Sequence, residues 1–171
     1  GAECGHVLIE SGPGARVCSC GQPGHLEAYA SATAVVKRTL EALPDEPASS
    51  LNGRIDDENQ LTTLVLYEEA VQGDALARRI VMETADYLAL GILSLVHTID
   101  PGIVVLGGAM TFGGSETTLG SEFLERIRLR FREQTFPVLA ERTIIDFAGL
   151  GSAAGYIGAA GIGRLMYKAN C

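Results

Sequence analysis

Tryptophan is absent from the chain, and aromatic side chains are limited to five tyrosines and five phenylalanines. A core must therefore be built from aliphatic residues, and these are plentiful: the hydrophobic share, aromatics included, is 47%. Together with a mean hydropathy of +0.20, that excludes a disordered polypeptide, which cannot bury enough apolar surface to fold. Basic residues are also scarce, 13 against 21 acidic ones, for a net charge of −8. A general nucleic-acid binder needs a basic face and is excluded on that ground. An acidic surface instead keeps molecules apart in solution. No apolar run is long enough to cross a bilayer. The longest, Leu88–Ile99, is interrupted by Gly91, Ser94, His97 and Thr98 and stops at Asp100-Pro101. The cysteines, Cys4, Cys18, Cys20 and Cys171, do not read as a disulfide framework, since two are one residue apart and the others lie near opposite ends. A reducing, cytoplasmic setting is the expectation. Repeats and low-complexity tracts are lacking too, and nothing at the start resembles a signal peptide. The 171 residues suit a single domain. The first residue is Gly1 rather than methionine, which raises the expectation that a longer polypeptide precedes it.

What is present is an alternation of strand-like and helical segments, predicting an α/β layer structure. Val7-Leu8-Ile9 reads as a strand. Residues 11–25 are a loop dense in glycine, proline, serine and cysteine. Steps of three and four through Leu26, Tyr29, Thr33, Val36, Leu40 and Leu43 predict one helix ended by Pro44 and Pro47. Residues 45–59 form a polar loop. Helices follow over Leu61–Val71 and Ala75–Ile99. Asp74 caps the second, and Leu76, Ile80, Tyr87, Leu88, Ile92, Leu95 and Ile99 face inward. Ile103–Leu106 is apolar without alternation, as in a strand buried on both faces. Residues 121–134 show two periods, and Phe123, Ile127 and Phe131 with Ser121 as cap favour a helix. The alternating Arg126, Arg128, Arg130 and Arg132 then form a solvated face. Residues 143–147 predict another strand, and Ala153–Tyr167, rich in small residues, a tightly packed final helix. His97 reads as a core or cap histidine of the long helix.

Chemistry concentrates near the start. His6, Cys18, Cys20 and His25 supply two thiolates and two imidazoles, the donor types that a tetrahedral Zn²⁺ favours. Gln22-Pro23-Gly24-His25 suits a type II turn folding His25 toward the cysteines, and Gly21 eases the irregular backbone that two ligands one residue apart require. The spacing is not a zinc-finger pattern, so from spacing alone two reduced loop cysteines and two incidental histidines remain an open alternative. A metal would substitute for a missing local core in so polar a loop. Glu27 can complement a helix N-terminus or serve a ligand. Gly107-Gly108, after an apolar strand, is either a plain turn or a place where a ligand approaches the backbone beyond a strand end.

The run Glu3-x-Gly5-His6, then Cys18-x-Cys20-Gly21-x-x-Gly24-x-x-Glu27, then Tyr29-Ala30-Ser31, resembles the signature of the ROK family of sugar kinases and repressors. Gly73-Asp74, Asp100–Gly108 and Gly155–Ala160 resemble later segments of that family, so the likeness covers most of the chain. One departure is His25, where the family's loop has a third cysteine. Histidine is a competent zinc ligand, so the donor set changes without being lost. The resemblance implies the C-terminal lobe of an actin-like, hexokinase-like (ribonuclease H-like) ATPase fold. It implies a structural Zn²⁺ on His6, Cys18, Cys20 and His25. Glu3, His6 and Glu27 would hydrogen-bond a hexose, and Gly107 and Gly108 would contact the adenosine of ATP.

The family's kinases also carry an Asp-x-Gly-Gly-Thr phosphate motif, a Gly-Thr-Gly loop and an Asn-Asp pair bearing the catalytic base. None of these occurs in residues 1–171. Phosphoryl transfer depends on positioning the phosphates and neutralising their charge with Mg²⁺. The expectation is a C-terminal sugar- and zinc-binding part of an ATP-dependent hexose kinase, a glucokinase first, inactive alone because the N-terminal phosphate-binding lobe and base Asp lie upstream. Kinases for N-acetylmannosamine, fructose or allose share the loop, and the sugar-sensing half of a ROK-type repressor is the reading from another class. The expected partners are a hexose, ATP and a second copy in a homodimer, with no membrane, and no nucleic acid unless the repressor reading holds.

Overall fold

The computed structural model describes residues 3–55, 61–108 and 110–169. Gly1, Cys171 and positions 56–59 of the expected polar loop lie outside the described residues. In chain order the elements are α1 (Glu27–Ala30), α2 (Ala32–Ala42), α3 (Thr63–Val71), α4 (Ala75–Ile99), β1 (Ile103–Leu106), α5 (Thr118–Gln134), α6 (Pro137–Arg142), β2 (Ile144–Phe147) and α7 (Ala154–Ala169). The helix starts are set by side chains that accept otherwise orphaned backbone N–H groups. Thr62 accepts from Val65 N, Asp74 from Ala77 N and Thr117 from Gly120 N. Helix α4 stops at Asp100, which takes a left-handed conformation with φ 49°.

Helix α4 is the axis of the core. Leu76, Ile80, Val81, Ala85, Ala89, Ile92 and Val96 lie buried along it, and Val35 of α2, Leu66 and Ala70 of α3, and Phe123, Ile127 and Phe131 of α5 complete the cluster. Fully burying each valine, leucine, isoleucine or phenylalanine among these contributes roughly 1.5–3 kcal/mol. On its other faces Arg78 pairs with Glu122, Arg79 with Glu46, and Asp86 with Arg126 and Arg130. By length and composition alone this 25-residue helix is apolar enough to cross a membrane, unlike the shorter Leu88–Ile99 run. Its buried stripe and ion-paired flanks are those of a core helix.

Strands β1 and β2 form a parallel pair in the register Ile103↔Ile144 through Leu106↔Phe147. The chain between them runs through α5 and α6, as a parallel pair requires. Val104, Leu106, Ile145 and Phe147 face the helical core.

Several expectations need correction. Val7–Ile9 is not a strand, because only Leu8 forms a bridge, antiparallel to His25. The single helix over 26–43 is broken at Ser31, whose extended backbone (φ −74°, ψ 161°) ends α1 and caps α2 through Ala34 N. That break shifts the phase of the stripe, so Ala34, Val35, Arg38 and Thr39 are buried while Thr33 and Leu40 are exposed. Ile99 is exposed as well, at the end of α4. The cap of α5 is Thr117, not Ser121, one turn earlier. Ile103 and Val105 of β1 are exposed, so the strand is buried on one face only. Helix α7 is not tightly packed, and Tyr156, Ile157, Ile162, Leu165, Met166 and Tyr167 all lie exposed. Its small residues had suggested close packing, yet the neighbours it meets among the described residues are chiefly those of the short turn before it.

Candidate functional site

Two antiparallel contacts assemble the N-terminal site. In the first, Ile9 N donates to Gly24 O and Leu26 N to Val7 O, each 2.9 Å. This lays the segment after His6 against the segment holding His25. In the second, Cys18 N donates to Gln22 O and Gly24 N to Arg16 O, again 2.9 Å. Cys18 through Gly21 is thus the tip of a small hairpin, closed by Gly21 N on Cys18 O (2.9 Å). The expected turn over Gln22–His25 is instead this hairpin's return arm. Gly24 has φ 83°, and a Cβ there would lie 1.8 Å from the Glu10 carbonyl oxygen. Only glycine fits where the two contacts cross.

The crossing brings together all four expected metal donors. The ligand atoms of His6, Cys18, Cys20 and His25 lie within 4.8 Å of one another, and Cys20 Sγ is 3.2 Å from His25 Nδ1. A tetrahedral ion with bonds of about 2.0–2.3 Å spaces its ligands by about 3.3–3.8 Å, so the set can close on Zn²⁺ with small side-chain adjustments. Cys18 is buried, and its thiol is held below the ordinary value by the backbone N–H of Cys20, with the Ser19 hydroxyl adding to the effect against desolvation. A thiol biased toward thiolate is the form that binds metal.

Glu27, the first residue of α1, reaches this cluster from the helix side. Its Oε2 lies 3.5 Å from His6 Nε2, and its Oε1 accepts a 2.9 Å hydrogen bond from Ser19 Oγ. Ser19 was not singled out from the sequence. Its place between two candidate ligands was the available signal. Glu3 is exposed, and its carbonyl accepts from His6 N (2.9 Å). Among the described residues no contact joins its side chain to the Glu27–His6 pair. The arrangement presents a carboxylate and an imidazole side by side at a partly exposed rim, able to accept and donate hydrogen bonds to a polyhydroxylated ligand.

Gly107 and Gly108 lie elsewhere, past the C-terminal end of β1. With Leu106, Phe147, Ala148 and Gly149 they line a cavity of about 590 Å³ between the loops that leave the two parallel strands. Ligands of open α/β sheets bind at such strand ends. His97 is exposed, bonded through Nε2 to Thr135 Oγ1 (2.9 Å) and set against Phe136 in the last turn of α4. Its exposure rules out a core place, and its contacts lie away from both sites. Among the described residues, Arg126 and Arg130 of α5 pair with Asp86 and Arg128 with Glu125.

Compared with known proteins, residues 1–164 match the family described as ROK family. The glucokinase of Halalkalibacterium halodurans is 31% identical over 156 residues, covering 91% of this chain and 45% of that protein. The crystal structure of a ROK family glucokinase from Streptomyces griseus in complex with glucose and AMPPNP is similar with a TM-score of 0.72 at 29% identity, over 94% of this chain and 50% of that one. The xylose repressor of Caldicellulosiruptor bescii is 26% identical over 134 residues, covering 78% of this chain and 31% of that protein. The chain spans about half the length of the glucokinases it matches.

Proposed function

Because the chain belongs to the ROK family, we propose that it is the C-terminal, sugar-recognising lobe of an ATP-dependent hexose kinase of glucokinase type. The observation that carries this reading is Glu27 set 3.5 Å from His6 beside the Cys/His cluster. A hexose offers a ring of hydroxyls. A carboxylate accepts from two neighbouring ones, and an imidazole held in one orientation reads a third. Sites built to pair a hydroxyl discriminate strongly against sugars lacking it.

His6, Cys18, Cys20 and His25 would hold a structural Zn²⁺, which fixes the hairpin and the start of α1 where few apolar contacts do so. Four protein donors leave no open position for metal catalysis. The Ser19 hydroxyl aims Glu27 from the same hairpin tip. The cavity at Gly107-Gly108 is suited to the adenosine side of ATP, whose approach the absent side chains permit. The phosphate-binding elements, the Mg²⁺ partners and the base Asp are assigned to an upstream lobe. Parallel sheets are normally covered on both faces, so the exposed Ile103 and Val105 of β1 and Ile144 of β2 support such a lobe packing here.

The second reading, the sugar-sensing half of a repressor, is supported by the kinship with the xylose repressor. The glucokinase relative aligns over more of the chain at higher identity. An Asp-x-Gly-Gly-Thr motif in the sequence encoded before Gly1 decides for the kinase, and a helix-turn-helix for the repressor. The sugar role itself is tested by calorimetric titration with glucose. Replacing Glu27 by glutamine is expected to weaken glucose about tenfold or more, the usual cost of an unpaired polar group in such a site. Equal affinity of E27Q and the parent rejects the assignment.

A further inference from the structure

Arg38 is the least expected residue in the interior. It sits on α2 with only 6% of its surface exposed, and a charge so buried persists only when it is paired and hydrogen-bonded. Both terminal nitrogens of its fork are engaged. Nη1 donates to the Tyr29 carbonyl and to Thr84 Oγ1, both 3.0 Å, and Nη2 donates to Glu83 Oε2 at 2.5 Å. The guanidinium also lies 4.8 Å from the centre of the Tyr87 ring, which is itself 4.8 Å from the Tyr29 ring.

These contacts converge on α1. That helix is a single turn carrying Glu27 at one end and Tyr29 near the other. A turn so short has no stability of its own, and the break at Ser31 removes the next turn that would have continued it. The Tyr29 carbonyl meets the Arg38 guanidinium in place of a helical N–H. On its N-terminal side α1 is seated by Leu26, packed against Gly91 of α4 so closely that a Cβ at Gly91 would fall 2.5 Å from Leu26 Cδ2. Tyr29 extends the link to the metal hairpin, because its hydroxyl accepts from Arg16 N at 2.7 Å.

We propose that Arg38 is a positioning residue for the hexose site: by clamping the Tyr29 carbonyl to Thr84 and Glu83 of α4 it sets the orientation of α1, and with it the placement of the Glu27 carboxylate beside His6. This rests on the reading of Glu27 as a hexose ligand. Lysine cannot replace the arginine fully, because an ammonium lacks the planar fork that reaches Tyr29 O and Glu83 together.

The test uses R38M, R38K, E27Q and the double variant R38M/E27Q, with two readouts. The first is glucose affinity by calorimetry. R38M is expected to bind glucose about tenfold more weakly, a typical cost of misplacing a binding group by a fraction of an ångström, with R38K in between. R38M/E27Q should be no more than about twofold weaker than E27Q alone, since the two act on the same contact. The second readout is amide hydrogen exchange, which does not depend on sugar. In R38M the amides of Ala28–Ser31 should exchange about tenfold faster relative to those of Ile80–Ala89. Unchanged glucose affinity in R38M, additive losses in the double variant, or acceleration spread evenly over the chain overturns the proposal. Failure of the parent protein to bind glucose overturns the reading of Glu27, and the exchange pattern at α1 then still decides whether Arg38 clamps it.

Discussion

Gly24 shows how one backbone position can hold a site together. Two antiparallel contacts cross there, and the space a methyl group would need is occupied by the Glu10 carbonyl and the Leu8 side chain. Gly24→Ala therefore faces both a left-handed backbone and a collision. It is expected to cost about 2 kcal/mol or more and to lower bound zinc below one equivalent, measured by thermal unfolding and elemental analysis. Gly53→Ala, with nothing within 4 Å of its added carbon, is the control and should change neither. At this scale the sequence was most readable where chemistry was concentrated. The four donors His6, Cys18, Cys20 and His25 do converge, as does Glu27 on His6. Ser19 and Arg38 were hidden for a physical reason. A hydroxyl in a polar loop takes its role only once the hairpin folds it onto Glu27, and an arginine among surface-like charges takes its role only from Glu83 and Thr84 far along the chain.

Helices α4 and α5 are joined by Asp86, which bonds Arg126 through two contacts of 2.6 and 2.9 Å and Arg130 at 3.0 Å. Desolvation pushes the Asp86 carboxyl up, but the two arginines outweigh it and hold it below the usual carboxylate range. Asp74, capping α4, is lowered in the same way against desolvation by the Ala77 N–H and the Ser49 and Ser50 donors. A depressed folded value means the stabilisation is complete above the unfolded carboxylate value, about 3.9. It is lost as pH falls through the folded values. D86N should be less stable than the parent at pH 7, and the gap should shrink as pH falls below the unfolded carboxylate value of about 3.9, as read by paired thermal melts. The caps and long helices were legible, because Asp74 and the spacing of Leu76, Ile80 and Ile92 declare themselves within a few residues. The break at Ser31 was not. A stripe of apolar residues continues through it in steps of three and four, and only the close seating of α1 on α4 shows that the chain must reset its phase.

For the molecule as a whole, the exposed faces of β1, β2 and α7 contrast with the filled core around α4. The α/β alternation was readable from pattern, whereas the one-sided burial of β1 was not, since an unbroken apolar run reads the same whether or not a neighbour covers its second face. Among the described residues before Tyr29, Cys18 is the one buried hydrophobic residue, so metal binding should contribute directly to the folding of this segment. Purified without chelator, the protein is expected to hold about one equivalent of zinc. Stripping the zinc should lower the unfolding midpoint and raise exchange in residues 6–27 while sparing α3 to α5. Less than about a tenth of an equivalent would reject the site, given the usual affinity of structural zinc.

The parallel pairing of β1 with β2 also has a consequence in time. Its partners lie about forty residues apart in the chain, with α5 and α6 between them. Contacts that close so large a loop form slowly, whereas those between α3 and α4 are nearly local. The helical core should therefore assemble first and the sheet last. The cavity at Gly107-Gly108 opens between loops that leave both strands, so it comes into being only with that final step. A nucleotide that binds there would meet only chains that have finished folding.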